Sequence, residues 1–401
     1  MSVPHELTFP EPFLWGAATA GHQTEGNNVN SDYWQREYAP GSTIPEPSGD
    51  ACDSYHRYPE DIALLAGLGF NTYRFSIEWS RIEPERGAVS LASLAHYRRM
   101  VECCHDNGLT PMVTLNHFTV PRWMDALGGW RNPQSPELFA RFTEAALPIV
   151  SDGVPWVCTI NEPNIIACGA GHSDGNLVAY GLAAPSELVS RTLVLAHQRS
   201  REVLASVGSI RSGWSVATQA FQPEPGAEES LMAYSYPIEE YFLEAARGDD
   251  FVGVQAYTRT FVGVDGAKPP REGVETTLTG WEYFPQALGI GVRNAWAVTG
   301  GVPVIVTENG IATADDSRRI DYTRQALAGL HAAIADGVEV GGYLHWSALD
   351  NYEWGRYTPT FGLIAVDRKT FARTTKPSAR WLGDVAKRNT LTTTAAAEVA
   401  Q

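Results

Sequence analysis

Two glutamates have the surroundings that chemistry on a buried substrate would need. Glu162 follows the run Trp156-Val-Cys-Thr-Ile-Asn161, and Glu308 follows Val304-Ile-Val-Thr307. Both runs are short and apolar enough to be buried strands. A glutamate is ordinarily a solvated surface charge. At the end of a buried strand it costs stability unless something uses it. Two such carboxyls can cleave a glycosidic bond. One, protonated, gives its proton to the leaving oxygen; the other, ionised, attacks the anomeric carbon, the pair standing about 5–5.5 Å apart in a retaining enzyme. The two glutamates are distant in sequence, so only folding can bring them together.

The elements that must do this read as alternating strands and helices. Candidate strands are 13–19, 72–77, 111–116, 156–160, 213–218, 251–257, 302–307 and 341–348. A helix is expected after Tyr58-Pro59, with the proline in its first turn, ending near 67–69. Another runs from about 93 to Gly108, with Leu94, Tyr97, Val101 and Cys104 on one stripe. Others are read at about 136–150, 186–207, 228–247, 286–298, 321–336 and 378–388. Eight strands alternating with eight helices predict an α/β fold, a single-domain (β/α)8 TIM barrel over residues 1–388. A doubly wound open sheet also alternates, but Gly16-Ala-Ala-Thr19 is not the glycine-rich phosphate turn expected after its first strand. Residues 389–401, rich in Thr and Ala, read as a flexible C-terminal tail.

Barrel enzymes hold their active sites at the C-terminal ends of the strands. In this sequence those ends collect Gln23 after the first strand, Arg74 in the second, Asn116-His117-Phe118 at the third and Asn161-Glu162 at the fourth. Gln255 and Tyr257 end the sixth, Glu308 the seventh, and His345-Trp346 leads from the eighth towards Glu353 and Trp354. A lone histidine ending an apolar strand is often a satisfied core residue; the place of His117 beside Phe118 on this rim favours ligand contact.

Composition limits the partners. The net charge is −16, from 30 basic and 46 acidic residues, with no basic stripe, so nucleic acid is not expected. No apolar run reaches membrane-spanning length, and the first residues show neither a basic start nor an apolar core for export. Five cysteines without a Cys-x-x-Cys pair argue against a disulfide framework or a zinc site. A reduced, cytoplasmic location is the expectation, with no metal and no cofactor. Twelve tryptophans and sixteen tyrosines suit a site that stacks sugar rings, although aromatics also fill cores.

Taken together, the motifs resemble those of the family 1 glycoside hydrolases, the β-glucosidase and β-galactosidase group. The matching segments begin with Phe13-Leu-Trp-Gly-Ala-Ala-Thr-Ala20, with Gln23 and Glu25-Gly26, and Tyr73-Arg-Phe-Ser-Ile-Glu-Trp-Ser-Arg-Ile82. They continue with Thr159-Ile-Asn-Glu-Pro-Asn164, Val306-Thr-Glu-Asn-Gly310 and Tyr343-Leu-His-Trp-Ser-Ala-Leu-Asp-Asn-Tyr-Glu-Trp354, and close on Phe361-Gly-Leu363 and Lys376-Pro-Ser-Ala379. The resemblance spans roughly residues 9–388. It implies a retaining β-glycosidase acting on a small β-glycoside or oligosaccharide, with Glu162 as acid/base and Glu308 as nucleophile. Tyr257 would hydrogen-bond the nucleophile and Arg74 would keep it ionised. Asn161 would hold the sugar 2-hydroxyl. Gln23, His117, Glu353 and Trp354 would hold the other hydroxyls, with Trp346 as the platform and Phe118 and Gln255 as further contacts.

The chain departs from the family pattern in four places. Gln255-Ala256-Tyr257 stands where Asn-Tyr-Tyr is usual, and Thr119 where Asp is usual. The segment between the fifth and sixth strands is short, and the loop after Trp354 is altered. No catalytic group is lost. Transglycosylation through the same intermediate, or a non-catalytic sugar-binding protein on the same fold, are the alternatives to hydrolysis.

Overall fold

The computed structural model describes residues 5–173 and 181–393. Eight parallel strands close into a barrel in sequence order: β1 (Leu14–Ala18), β2 (Thr72–Ser76), β3 (Thr110–Asn116), β4 (Trp156–Asn161), β5 (Arg211–Thr218), β6 (Val252–Ala256), β7 (Val304–Asn309) and β8 (Val340–Trp346). Closure through the β8–β1 ladder, Gly342 opposite Leu14 to Trp346 opposite Ala18, excludes the open sheet. Each strand lies within two residues or so of its expected position.

Alternation along the strands builds two layers. In β3, Val113 and Leu115 join the outer apolar layer shared with the helices. Met112 instead faces inwards, packed with Cys158, Phe251, Ile305 and Leu344 as an apolar floor. Above that floor the buried barrel positions turn polar, with Arg74, Thr114, Asn161, Gln255 and Glu308. The barrel is therefore a packed plug with a reactive top.

Tight approach at the top depends on Gly310. A Cβ there would lie 2.0 Å from the carbonyl oxygen of Trp346, so β7 and β8 could not keep their spacing. Gly310→Ala is expected to cost about 1–3 kcal/mol through this overlap. Thermal denaturation checks it, and an unaltered midpoint would refute the close-approach reading.

Several helix boundaries differ from expectation. The helix expected to open at Pro59 starts earlier, spanning Ser54–Leu68 with Pro59 inside it. The backbone N–H groups of His56 and Arg57 both donate to Asp53 O, which begins the turn before the proline is reached. The single helix expected over 228–247 is two, Glu228–Ile238 and Glu240–Ala245. The break falls just after Pro237, at Glu239. The helix expected from 321 starts at Asp316, where Asp315 caps it by accepting from Ser317 N.

The flexible-tail reading is corrected at its start. Thr390–Thr393 pairs antiparallel with His5–Thr8, Leu391 is fully buried, and Asn389 bonds Trp15 and Phe9. The remainder of that tail, 394–401, lies outside the described residues. Among the described residues no helix is long and apolar enough to cross a membrane.

Candidate active site

Glu308 ends β7 almost wholly buried, and both its carboxylate oxygens are engaged. Arg74 Nη1 donates to Oε1 at 2.6 Å, and Tyr257 Oη donates to Oε2 at 2.6 Å. Arg74, fully buried on β2, also donates through Nε to Thr114 Oγ1 at 3.0 Å and through Nη2 to Asn161 Oδ1 at 2.6 Å. A buried guanidinium is tolerable only with such complete pairing. Tyr257 is held in turn, since Tyr322 Oη donates to its carbonyl at 2.7 Å.

Glu162 stands just past β4 in different company. Its backbone N–H donates to Ser215 O at 2.8 Å, and no described side chain hydrogen-bonds its carboxyl. Burial, and next the negative charge of Glu308, push its carboxyl well above the usual range. Burial raises Glu308 too, but Arg74 and Tyr257, both in direct contact, oppose that rise. The two carboxyls share one cavity, and the proton is held better by Glu162.

The cavity measures about 800 Å³ and is lined by Glu162 and Glu308 together with Gln23, His117, Phe118, Tyr257, Trp346, Glu353 and Trp354. Nine of the twelve residues picked from the sequence thus meet on one wall. Glu353 accepts from Trp346 Nε1 at 3.2 Å and from Gln23 Nε2 at 3.3 Å. The His117 ring lies nearly parallel to those of Trp346 and Trp354, with interplanar angles of 15° and 10°. Burial and then the charge of Arg74 hold His117 well below its usual range, so it stays neutral. Phe118, Glu162 and Trp354 have φ of 70°, 46° and 47°, a left-handed backbone that costs non-glycine residues about 1–3 kcal/mol each. All three of these residues line the cavity.

Of the other three expected residues, Arg74 and Asn161 are one hydrogen bond from lining residues, through Glu308 and His117, and Gln255 is one bond further back, on Asn161. Gln255 is fully buried and donates to Asn161 Oδ1 at 2.7 Å, without lining the cavity. Two aromatics escaped the sequence reading as site residues. Trp281 and Phe361 line the cavity and pack on Tyr257, with ring centroids 5.6 and 5.9 Å away. Phe361 belongs to a motif noted above, but Trp281 had only the turn-like Thr279-Gly280 before it as a signal.

Comparison with known proteins agrees with this geometry. The family model for glycosyl hydrolase family 1 matches residues 5–233 and 237–391. Beta-glucosidase A of Thermotoga maritima is 31% identical, over 96% of this chain and 98% of that protein. The alignment extends over 446 positions, more than the 401 residues of this chain, so the relative carries segments that this chain lacks. Among solved structures, the beta-glycosidase BGL167 is 47% identical with a TM-score of 0.87, covering 95% of this chain and 97% of that one. A family 1 beta-glucosidase from Thermotoga maritima, solved with isofagomine lactam, is 28% identical with a TM-score of 0.89, covering 96% and 100%. Matched from strand to strand and across nearly its whole length, the chain belongs to glycosyl hydrolase family 1.

Proposed function

We propose that this chain is a β-glucosidase that removes terminal β-D-glucosyl residues with retention, with Glu308 as nucleophile and Glu162 as acid/base. The contrast between the two carboxyls carries this reading. Arg74 and Tyr257 bind the ionised form of Glu308, whereas burial beside another anion favours the protonated form of Glu162.

In the first step a Glu308 oxygen attacks the anomeric carbon while Glu162 gives its proton to the departing oxygen. The products are a glycosyl ester and a free alcohol. In the second step Glu162, now ionised, takes a proton from water as that water attacks the same carbon, which releases Glu308 and the sugar. Two inversions restore the starting configuration. The resemblance assigns the 2-hydroxyl to Asn161 and the remaining hydroxyls to Gln23, His117, Glu353 and Trp354, over the platform of Trp346. Relatives named as β-glucosidases support glucose as the sugar. The five free thiols suit a reducing compartment, and we assign the protein to the cytoplasm.

Proton NMR on an aryl β-glucoside tests the reading. β-Glucose is expected as the first product, turning to the α-anomer only by mutarotation. Initial α-glucose would refute it, as would binding without release of the aglycone. The pH profile should be bell-shaped, because rate is lost on the acid side as Glu308 protonates and on the alkaline side as Glu162 ionises.

A further inference from the structure

Asn161 is gripped more firmly than a sugar-binding amide needs to be. Arg74 Nη2 and Gln255 Nε2 both donate to Asn161 Oδ1, at 2.6 and 2.7 Å. A guanidinium can only donate, so the Asn161 atom facing it is the oxygen. A carbonyl oxygen has two lone pairs, and both are taken. Asn161 Nδ2 approaches His117 Nε2 at 3.3 Å, which occupies one of its two hydrogens and leaves the other. The amide therefore meets a substrate as a donor only.

Gln255 reaches this position at a cost. Its own Oε1 is buried and has no hydrogen-bond partner among the described residues. Leaving a buried carbonyl unsatisfied is unfavourable, and a shape-matched apolar side chain would avoid it. The residue also stands fully buried, opposite Glu308 in the β6–β7 ladder and opposite Ala217 in β5. The expense is understandable if the bond to Asn161 matters more than the lost partner.

We propose that Gln255 is a positioning residue that locks the Asn161 amide as a donor to the sugar 2-oxygen, and so sets the rate advantage gained from the 2-hydroxyl. This rests on the assignment of Asn161 to that hydroxyl under the proposed function. Without Gln255 one lone pair of Asn161 Oδ1 is free, and the amide can rock about its last torsion instead of presenting Nδ2 at a fixed angle. An interaction that strengthens towards the transition state is the kind most sensitive to such looseness.

The experiment pairs two substrates with two enzymes. An aryl β-glucoside and its 2-deoxy counterpart are assayed with the wild type and with Gln255→Met, which keeps the length and removes the amide. The wild type is expected to favour the glucoside in kcat/KM. In Gln255→Met that preference should fall about tenfold, because the glucoside is slowed far more than the 2-deoxy substrate. Turnover of the 2-deoxy sugar reports whether the fold and the two carboxyls are intact. If Gln255→Met fails to fold, Gln255→Leu takes its place under the same control. Equal slowing on both substrates would overturn the proposal, since a purely structural role makes no distinction at the 2-position. A wild type with no preference between the substrates would instead overturn the assignment of Asn161 to the 2-hydroxyl.

Discussion

Glu308→Ala is expected to lower kcat/KM on an aryl β-glucoside by about 10⁴-fold or more, with azide restoring turnover. Removing the carboxylate deletes the group that forms the covalent intermediate. It also strands Arg74, whose charge remains in the barrel with only neutral acceptors, Thr114, Asn161 and the Thr307 carbonyl. Breaking a buried pair from one side costs about 3–5 kcal/mol, so the variant should be less stable as well as inactive. A small anion can fill the space beside Arg74 and attack the anomeric carbon from the face that Glu308 used. One inversion then gives the α-glucosyl azide. Rates with and without azide, and the anomer of the product, are the measurements. Full activity without azide would end the assignment of Glu308 as nucleophile.

Arg74 explains why the two carboxyls differ although desolvation raises both. It bridges β2 to Thr114 on β3, Asn161 on β4, and Thr307 and Glu308 on β7. A single guanidinium thus ties four strands around the place where negative charge must be kept. Gln255 on β6 joins the same set through Asn161. Nucleophile, arginine and asparagine are one hydrogen-bonded body, and Glu162 stands outside it.

Much of this was legible in the sequence, and the failures have physical causes. The barrel strands could be read because each is a short apolar run buried on both sides, bounded by turn residues. The rim residues could be read because polar groups at the ends of such runs are expensive without a use. Depth was not legible. The place of Gln255 at the end of β6 could be read, but not that its amide turns to Asn161. Pro59 was read as the start of its helix because proline suits a first turn, but the turn already opens at the Asp53 carbonyl, ahead of Ser54. Trp281 lies outside every expected element, and only the folded loop brings it against Tyr257. The strand Thr390–Thr393 escaped because a Thr-rich terminus looks unstructured until its partner, at the other end of the chain, is known.

Glu162→Ala should give the opposite kinetic pattern to Glu308→Ala, one that depends on the leaving group. General acid assistance is worth about 10²–10⁴-fold when the departing oxygen is strongly basic. An alkyl β-glucoside should therefore lose that much in kcat/KM. A dinitrophenyl β-glucoside should lose far less, because its phenolate leaves without a proton. For this activated substrate kcat should still fall, since water must attack the glycosyl ester without a base, and KM should fall with it as the ester accumulates. Azide needs no base and should raise kcat, now giving the β-glucosyl azide, because it intercepts the ester from the opposite face. The alkaline limb of the pH profile in kcat/KM should disappear as well, because the carboxyl that must stay protonated has gone. The acid limb, set by Glu308 under Arg74 and Tyr257, should remain. Equal losses on alkyl and dinitrophenyl glucosides, or an α-configured azide, would show that Glu162 is not the proton donor.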